Sequence, residues 1–290
     1  MKYRFILLLT LLAVFTSFKS DKPAYKLFNQ KGKEVKYSKL VEAASNVEVV
    51  FFGELHNNPI SHWLQLELTT DLLKVNPSGL TLGAEMFETD NQLFLNQYLA
   101  GSIETDSLKK LARLWPNYKT DIAPLVDFAK ENNLKFIASN VPRRYASLVF
   151  KKGFEALDSL PDLEKAFIAP LPIAYDPQLP GYVEMVKMMG DMGHGRSTDN
   201  FPKAQAIKDA TMAWFIYKNI EASKIFIHYN GAYHSDNYEG IIWYLKRLIP
   251  EIRILIISSV ETDQPVKLPD DKKNVADFII GVPSTMTKTH

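Results

Sequence analysis

The chain has 290 residues, 46% hydrophobic and 23% charged, a balance that supports a sizeable core and excludes extensive disorder. Its 34 basic and 33 acidic side chains leave a net charge of +1 with no basic stripe, so nucleic acid is not an expected partner. There is no cysteine, which excludes disulfides, thiol catalysis and a cysteine-borne lipid anchor in the sequence as given.

Residues 1–20 read as a signal peptide. Lys2 and Arg4 precede the apolar run Phe5 to Phe15, which is shorter than the roughly 20 residues of a membrane span. Thr16, Ser17 and Ser20 supply small residues for cleavage, so a mature chain starting near Asp21 is expected to be periplasmic or secreted and not lipid-anchored. Residues 21–290 are expected to form one domain with its core over 48–260 and a lid over about 161–200.

Lys26 to Tyr37 suggests a hairpin turning at Gln30-Lys31-Gly32-Lys33, followed by a short helix from a Ser38 cap to Ala44. Val47 to Phe52 is a continuous β-branched and aromatic run, the pattern of a strand buried on both faces. A helix over Ile60 to Val75, for which Asn57 and Asn58 are candidate caps, ends at Asn76-Pro77-Ser78-Gly79. The next strand, Leu80 to Ala84, delivers Glu85. Helices are then expected over Asn91 to Tyr98, Ser107 to Arg113 and Ile122 to Asn132, with a strand at Lys135 to Ala138 and a helix from Pro142 to Phe150. Pro161 to Gly195, rich in Pro, Gly and Met, interrupts the rhythm. Beyond it come an amphipathic helix over Pro202 to Ile220, a strand at Ile225 to Tyr229, a helix at Gly240 to Ile249, and a strand at Ile252 to Val260. The Asp270 to Asn274 charge run reads as a solvated loop. This alternation implies an α/β fold, a mostly parallel central sheet flanked by helices with a Pro/Gly/Met-rich helical lid or insertion.

Parallel sheets bind ligands beyond the carboxyl ends of their strands. Four expected strands each end in polar residues: Glu54 and His56, Glu85, Ser139 and Asn140, and Asn230 through His234. Glu54, His56, Glu85 and His234 could hold a divalent metal or act as general acid and base, although their spacing matches no common zinc signature. Glu85 sits between Ala84 and Met86-Phe87, where an unpaired carboxylate would be costly. His62 is expected to face outward from its helix. Neither a phosphate-cradling glycine loop nor a Gly-x-Ser-x-Gly elbow is present.

Five ordered segments carry a resemblance. Gly53-Glu54-Leu55-His56, Ala84-Glu85-Met86-Phe87-Glu88, Ala138-Ser139-Asn140-Val141-Pro142-Arg143, Ala204-Gln205 through Met212-Ala213, and Gly231 to His234 together resemble the ChaN-like haem-binding proteins of the Tiki/TraB and erythromycin-esterase superfamily. The resemblance implies an exported protein of haem or iron uptake, working with outer-membrane haem-uptake machinery. It implies a homodimer enclosing two haems face to face, each iron held axially by a tyrosine, a hard anionic donor suited to ferric haem. Tyr118 is the first candidate and Tyr182 the alternative, with Met188, Met192 and His194 as an adaptable wall over the porphyrin and Lys187 or Arg196 near its propionates. Haem-binding members are commonly lipoproteins, and the absence of cysteine is the departure here. Two other readings stand beside haem capture. One is a metal-dependent ester or peptide hydrolase using the Glu/His cluster with metal-bound water as nucleophile; the other is a structural exported domain.

Overall fold

The computed structural model describes residues 22–76, 78–191, 200–263 and 267–290, so the expected signal peptide, Met192 and His194 lie outside the described residues. Seven strands form one sheet in the order β1-β7-β6-β2-β5-β3-β4. They are β1 (Lys26–Asn29), β2 (Val49–Glu54), β3 (Leu80–Glu88), β4 (Lys135–Asn140), β5 (Ile225–Gly231), β6 (Ile254–Thr262) and β7 (Phe278–Pro283). All neighbours run parallel except β1, which pairs antiparallel with β7. The expected mostly parallel α/β architecture is therefore the fold of this chain.

The helices are α1 (Tyr37–Ala44), α2 (Pro59–Val75), α3 (Gln92–Leu99), α4 (Thr105–Leu111), α5 (Ala123–Glu131), α6 (Arg143–Lys152), α7 (Asp162–Lys165), α8 (Pro180–Asp191), α9 (Phe201–Asn219) and α10 (Ile241–Leu248). Because strand side chains alternate, each central strand feeds two cores. Val50 and Phe52 of β2 join Leu64, Leu68 and Leu72 of α2 on one face. Val49 and Phe51 join Ile207, Met212 and Ile216 of α9 on the other. β2 is buried at every position, as its unbroken apolar run requires.

Several boundaries differ from the expected ones. The hairpin's second arm is a single bridge between Phe28 and Glu34, and β1 finds its partner in β7 instead. α1 begins at Tyr37, and no side chain caps it. Asn58 does cap α2, accepting from the Ile60 and Ser61 N–H groups at 3.0 and 3.3 Å. A π-helical turn, Tyr118–Ile122, precedes α5. Part of the expected lid is anchored to the second core through Ile168, Ala169, Ile173 and Tyr182.

β3 continues past Ala84 because of an irregularity. Ala84 pairs with Ala138, and the next pair is Glu88 with Asn140, so β3 carries extra residues over that span. Bulges bend a strand and redirect its side chains, and this one contains Glu85.

Candidate functional site

The carboxyl ends of the adjacent strands β2, β5 and β3 bring together Glu54, Glu85 and His234, with His56 in the loop after β2. Glu54 is buried, and both its oxygens are occupied: Oε1 lies 3.0 Å from His56 Nδ1, and Oε2 accepts from Gln65 Nε2 at 2.6 Å. Glu85 Oε2 accepts from the Gly231 N–H at 2.8 Å, and its Oε1 lies 3.2 Å from His234 Nε2. The other His234 nitrogen, Nδ1, lies 2.5 Å from Asp209 Oδ1 of α9.

His234 is thus a buried imidazolium between two buried carboxylates. Burial opposes its charge, but Glu85 and Asp209 outweigh burial and push its pKa up to about 10. Burial likewise opposes the charge of Glu85, yet the His234 cation holds its carboxyl well below the usual range, with His56 and the Gly231 N–H helping. Burial pushes the Asp209 carboxyl up, against the pull of His234. For His56, burial disfavours the cation, while the Glu54 hydrogen bond and the Glu85 and Glu54 charges prevail and raise its pKa.

The four expected residues therefore meet, tied to one another. Among the described residues no group of three or more His, Asp or Glu side chains is arranged to hold a metal ion. The expected donors instead form two charged hydrogen-bonded sets, Glu54–His56 and Glu85–His234–Asp209.

His56 is the accessible member, its side chain 41% exposed. Its ring meets Trp115 edge-on at 5.0 Å. Its carbonyl accepts from Asn117 Nδ2 at 3.1 Å and from His62 Nε2 at 3.0 Å. The ring lies against Gly231, where an added Cβ would sit 2.7 Å from His56 Nε2. Gly231→Ala is accordingly expected to displace the His56 ring, which has solvent on one side, at a modest cost of about 1–2 kcal/mol. Urea denaturation checks the cost, and a shift of the His56 ring signals in an NMR titration checks the displacement.

His62 corrects an expectation: it is buried, not outward-facing. α2 carries a polar stripe of Asn58, Ser61, His62, Gln65 and Thr69 at helical spacing, and that stripe faces the sheet. Ser61 Oγ meets Ser259 Oγ at 2.7 Å, and Thr69 Oγ1 meets the Tyr229 hydroxyl at 2.6 Å. This stripe was the signal for Gln65, which spacing-based reading of Glu54 and His56 missed. Asp209 and Gln205 lay in the recognised helix segment without a role; four residues apart, they share the face that meets His234.

Neither expected tyrosine offers a surface oxygen. Tyr118 is buried against Phe87, its hydroxyl without a hydrogen-bond partner among the described residues, and burial raises its pKa. Tyr182 is buried against Tyr175, with its hydroxyl 3.4 Å from Asp209 Oδ2 and a pKa raised by burial. The tyrosine presented beside the cluster is Tyr233, 49% exposed, donating to the Gly181 carbonyl at 2.6 Å. Next to Gly181, α8 exposes Val183, Val186 and Met188 together with Glu184 and Lys187.

A cavity of about 590 Å³ opens onto Glu85. Trp115, Leu114 and Val141 give it apolar wall, and Arg113, Arg143 and Lys208 give it positive charge.

The molecule is thus a mostly parallel α/β domain with paired Glu/His sets at the carboxyl edge of its sheet, the edge at which parallel sheets bind ligands. The chain belongs to the family described as haem-binding uptake, Tiki superfamily, ChaN, whose model matches residues 40–245. It is similar in fold to ChaN of Campylobacter jejuni, solved for cofacial haem binding, with a TM-score of 0.68 at 13% identity over 88% of this chain and 96% of that one. It is also 29% identical over 122 residues to Protein RETICULATA-RELATED 5, chloroplastic, of Arabidopsis thaliana, an alignment covering 40% of this chain and 17% of that protein's length.

Proposed function

We propose that this protein captures haem at the carboxyl edge of its sheet, as an exported component of haem or iron uptake. The observation that carries the reading is the surface formed by Tyr233 and the exposed Val183, Val186 and Met188 of α8, at the edge where the Glu/His sets lie. A porphyrin needs an apolar face and a donor for its iron, and this surface supplies both kinds of group. Tyr233 is the tyrosine we assign as axial donor, in place of the buried Tyr118 and Tyr182. Exposed apolar side chains also suit contact with a second copy of the chain, so the working unit of this reading is a homodimer closing on its haems. Export follows from residues 1–20, and delivery would pass to outer-membrane uptake machinery.

Hemin titrations of the protein and of Tyr233→Phe, Tyr118→Phe and Tyr182→Phe test the assignment. Tyr233→Phe is expected to weaken binding roughly a hundredfold and to shift the Soret band, on the scale of one lost charge-assisted ligand contact. Tyr118→Phe and Tyr182→Phe are expected to leave the band in place. A band shifted by Tyr118→Phe alone would refute the assignment.

One observation favours a second reading, hydrolysis of an ester or peptide bond. Glu54 holds Nδ1 of the partly exposed His56 ring, leaving Nε2 beside Gly231 and Glu85, the arrangement of an oriented general base. Turnover of an ester or peptide panel that disappears in Glu54→Gln would support it; turnover unchanged in that variant would remove it.

A further inference from the structure

We propose that the cavity beside Glu85 is an anion subsite, in which Arg143 and Lys208 receive a carboxylate or phosphate of a ligand whose apolar body lies along Trp115. Its occupant's identity as haem rests on the haem reading above; the charge argument does not.

The charges lining the cavity are two carboxylates, Glu85 and Glu88, and three cations, Arg113, Arg143 and Lys208. Most of them are already spoken for. Glu85 is bound to the His234 cation and the Gly231 N–H. Arg113 is bound to Glu88 at 2.8 Å and to Asp90. Subtracting these pairs leaves Arg143 and Lys208, neither of which forms a salt bridge among the described residues. Lys208 also feels the buried Asp209 carboxylate beside it, yet two cations without a salt bridge in one concave site attract an anion more strongly than they would on a convex surface, because low-dielectric walls focus their field.

The backbone acts in the same sense. Arg143 is the first residue of α6, a helix of 10 residues whose N-terminus has no side-chain cap. Its first turn lines the cavity through Arg143 and Ala146. The Tyr145 N–H donates to the Pro142 carbonyl at 2.8 Å, and the helix dipole at this N-terminus favours negative charge. Asn140 also lines the cavity, and its buried Oδ1 has no hydrogen-bond partner among the described residues. Trp115, Leu114 and Pro116 form the remaining wall. A flat apolar body with one or two acidic groups fits this lining, which is the chemistry of a porphyrin carrying propionates.

Metal-free protoporphyrin IX and its dimethyl ester separate charge recognition from iron ligation, and inorganic phosphate separates the two anion sources. The full chain is titrated with each, alongside Arg143→Gln and Lys208→Gln, by tryptophan quenching for the porphyrins and calorimetry for phosphate. Arg143 is exposed and Lys208 half-buried, so thermal denaturation should show both variants folded. The acid form is expected to bind about tenfold or more tightly than the ester, and each variant to lose about tenfold for the acid but little for the ester. Saturable phosphate binding lost in both variants, with no acid–ester difference, would uphold the subsite while removing the porphyrin carboxylate as its occupant. Failure of hemin to bind while the acid–ester difference persists would sink the haem reading and leave the subsite standing. Equal affinities of wild type and variants for both porphyrins, with no phosphate binding, would overturn the proposal.

Discussion

His234→Ala is expected to destabilise the fold by about 3–5 kcal/mol, among the largest costs of any single side-chain truncation in this protein. The ring is buried between Glu85 and Asp209, themselves buried. Truncation removes the cation and leaves two carboxylates inside the protein with one backbone N–H, that of Gly231, and the distant Tyr182 hydroxyl as partners. The loss is dominated by this stranded charge, so His234→Ala/Glu85→Gln should recover part of it, a coupling that a double-mutant cycle in urea would measure.

The same ring sets a pH dependence. Its pKa rises from an ordinary 6.5 to about 10 on folding, so its contribution is fully present below about 6.5 and is lost as the pH climbs through about 10. Glu85 behaves oppositely: its depressed pKa gives a contribution present above about 4.5 and lost as acid protonates it. Thermal unfolding should therefore show greatest stability between these limits and a decline toward alkaline pH. His234→Ala should flatten the alkaline decline. A wild-type profile level from pH 6.5 to 10 would contradict the charged state assigned to His234.

The second large effect is expected at Gly240. Its backbone stands at φ +54° and ψ −122°, a combination accessible to glycine and strained for any residue bearing a Cβ. An added Cβ would come within 2.3 Å of the His234 carbonyl oxygen, and backbone cannot yield as a flexible side chain can. Strain and overlap together make Gly240→Ala cost about 2–6 kcal/mol. Relaxation must pull the Ala232–His234 turn away from α10, so the variant should also lose part of the alkaline decline. Guanidinium unfolding at two pH values reads both effects. A variant as stable as wild type would mean that the turn is free to move.

Much of this site was legible in the chain, and the reasons differ by residue. The continuous β-branched and aromatic run before Gly53 has the pattern of a doubly buried strand, which places Glu54 at the carboxyl edge of a parallel sheet. Glu85 drew notice as a carboxylate in apolar company, and it indeed has a partner. The bulge that carries it was not legible, because it arises from pairing with β4, more than 40 residues away. β7 was missed for a similar reason: Phe278 to Pro283 is short, contains Gly281 and Pro283, and becomes a strand through β6 on one side and β1 on the other. Asp209 stands in an amphipathic helix, where the pattern alone does not separate a polar residue facing water from one facing a buried partner. The tyrosines show the limit most plainly, since Tyr118, Tyr182 and Tyr233 differ in exposure and not in local sequence character.

Haem capture is the central claim, and a hemin titration of the full chain at neutral pH, followed by absorbance, tests it most directly. The Soret band is expected to grow linearly and saturate at one haem per chain, with the protein sedimenting as a dimer at that point. Absorbance that rises without saturation and tracks hemin in buffer alone would contradict it.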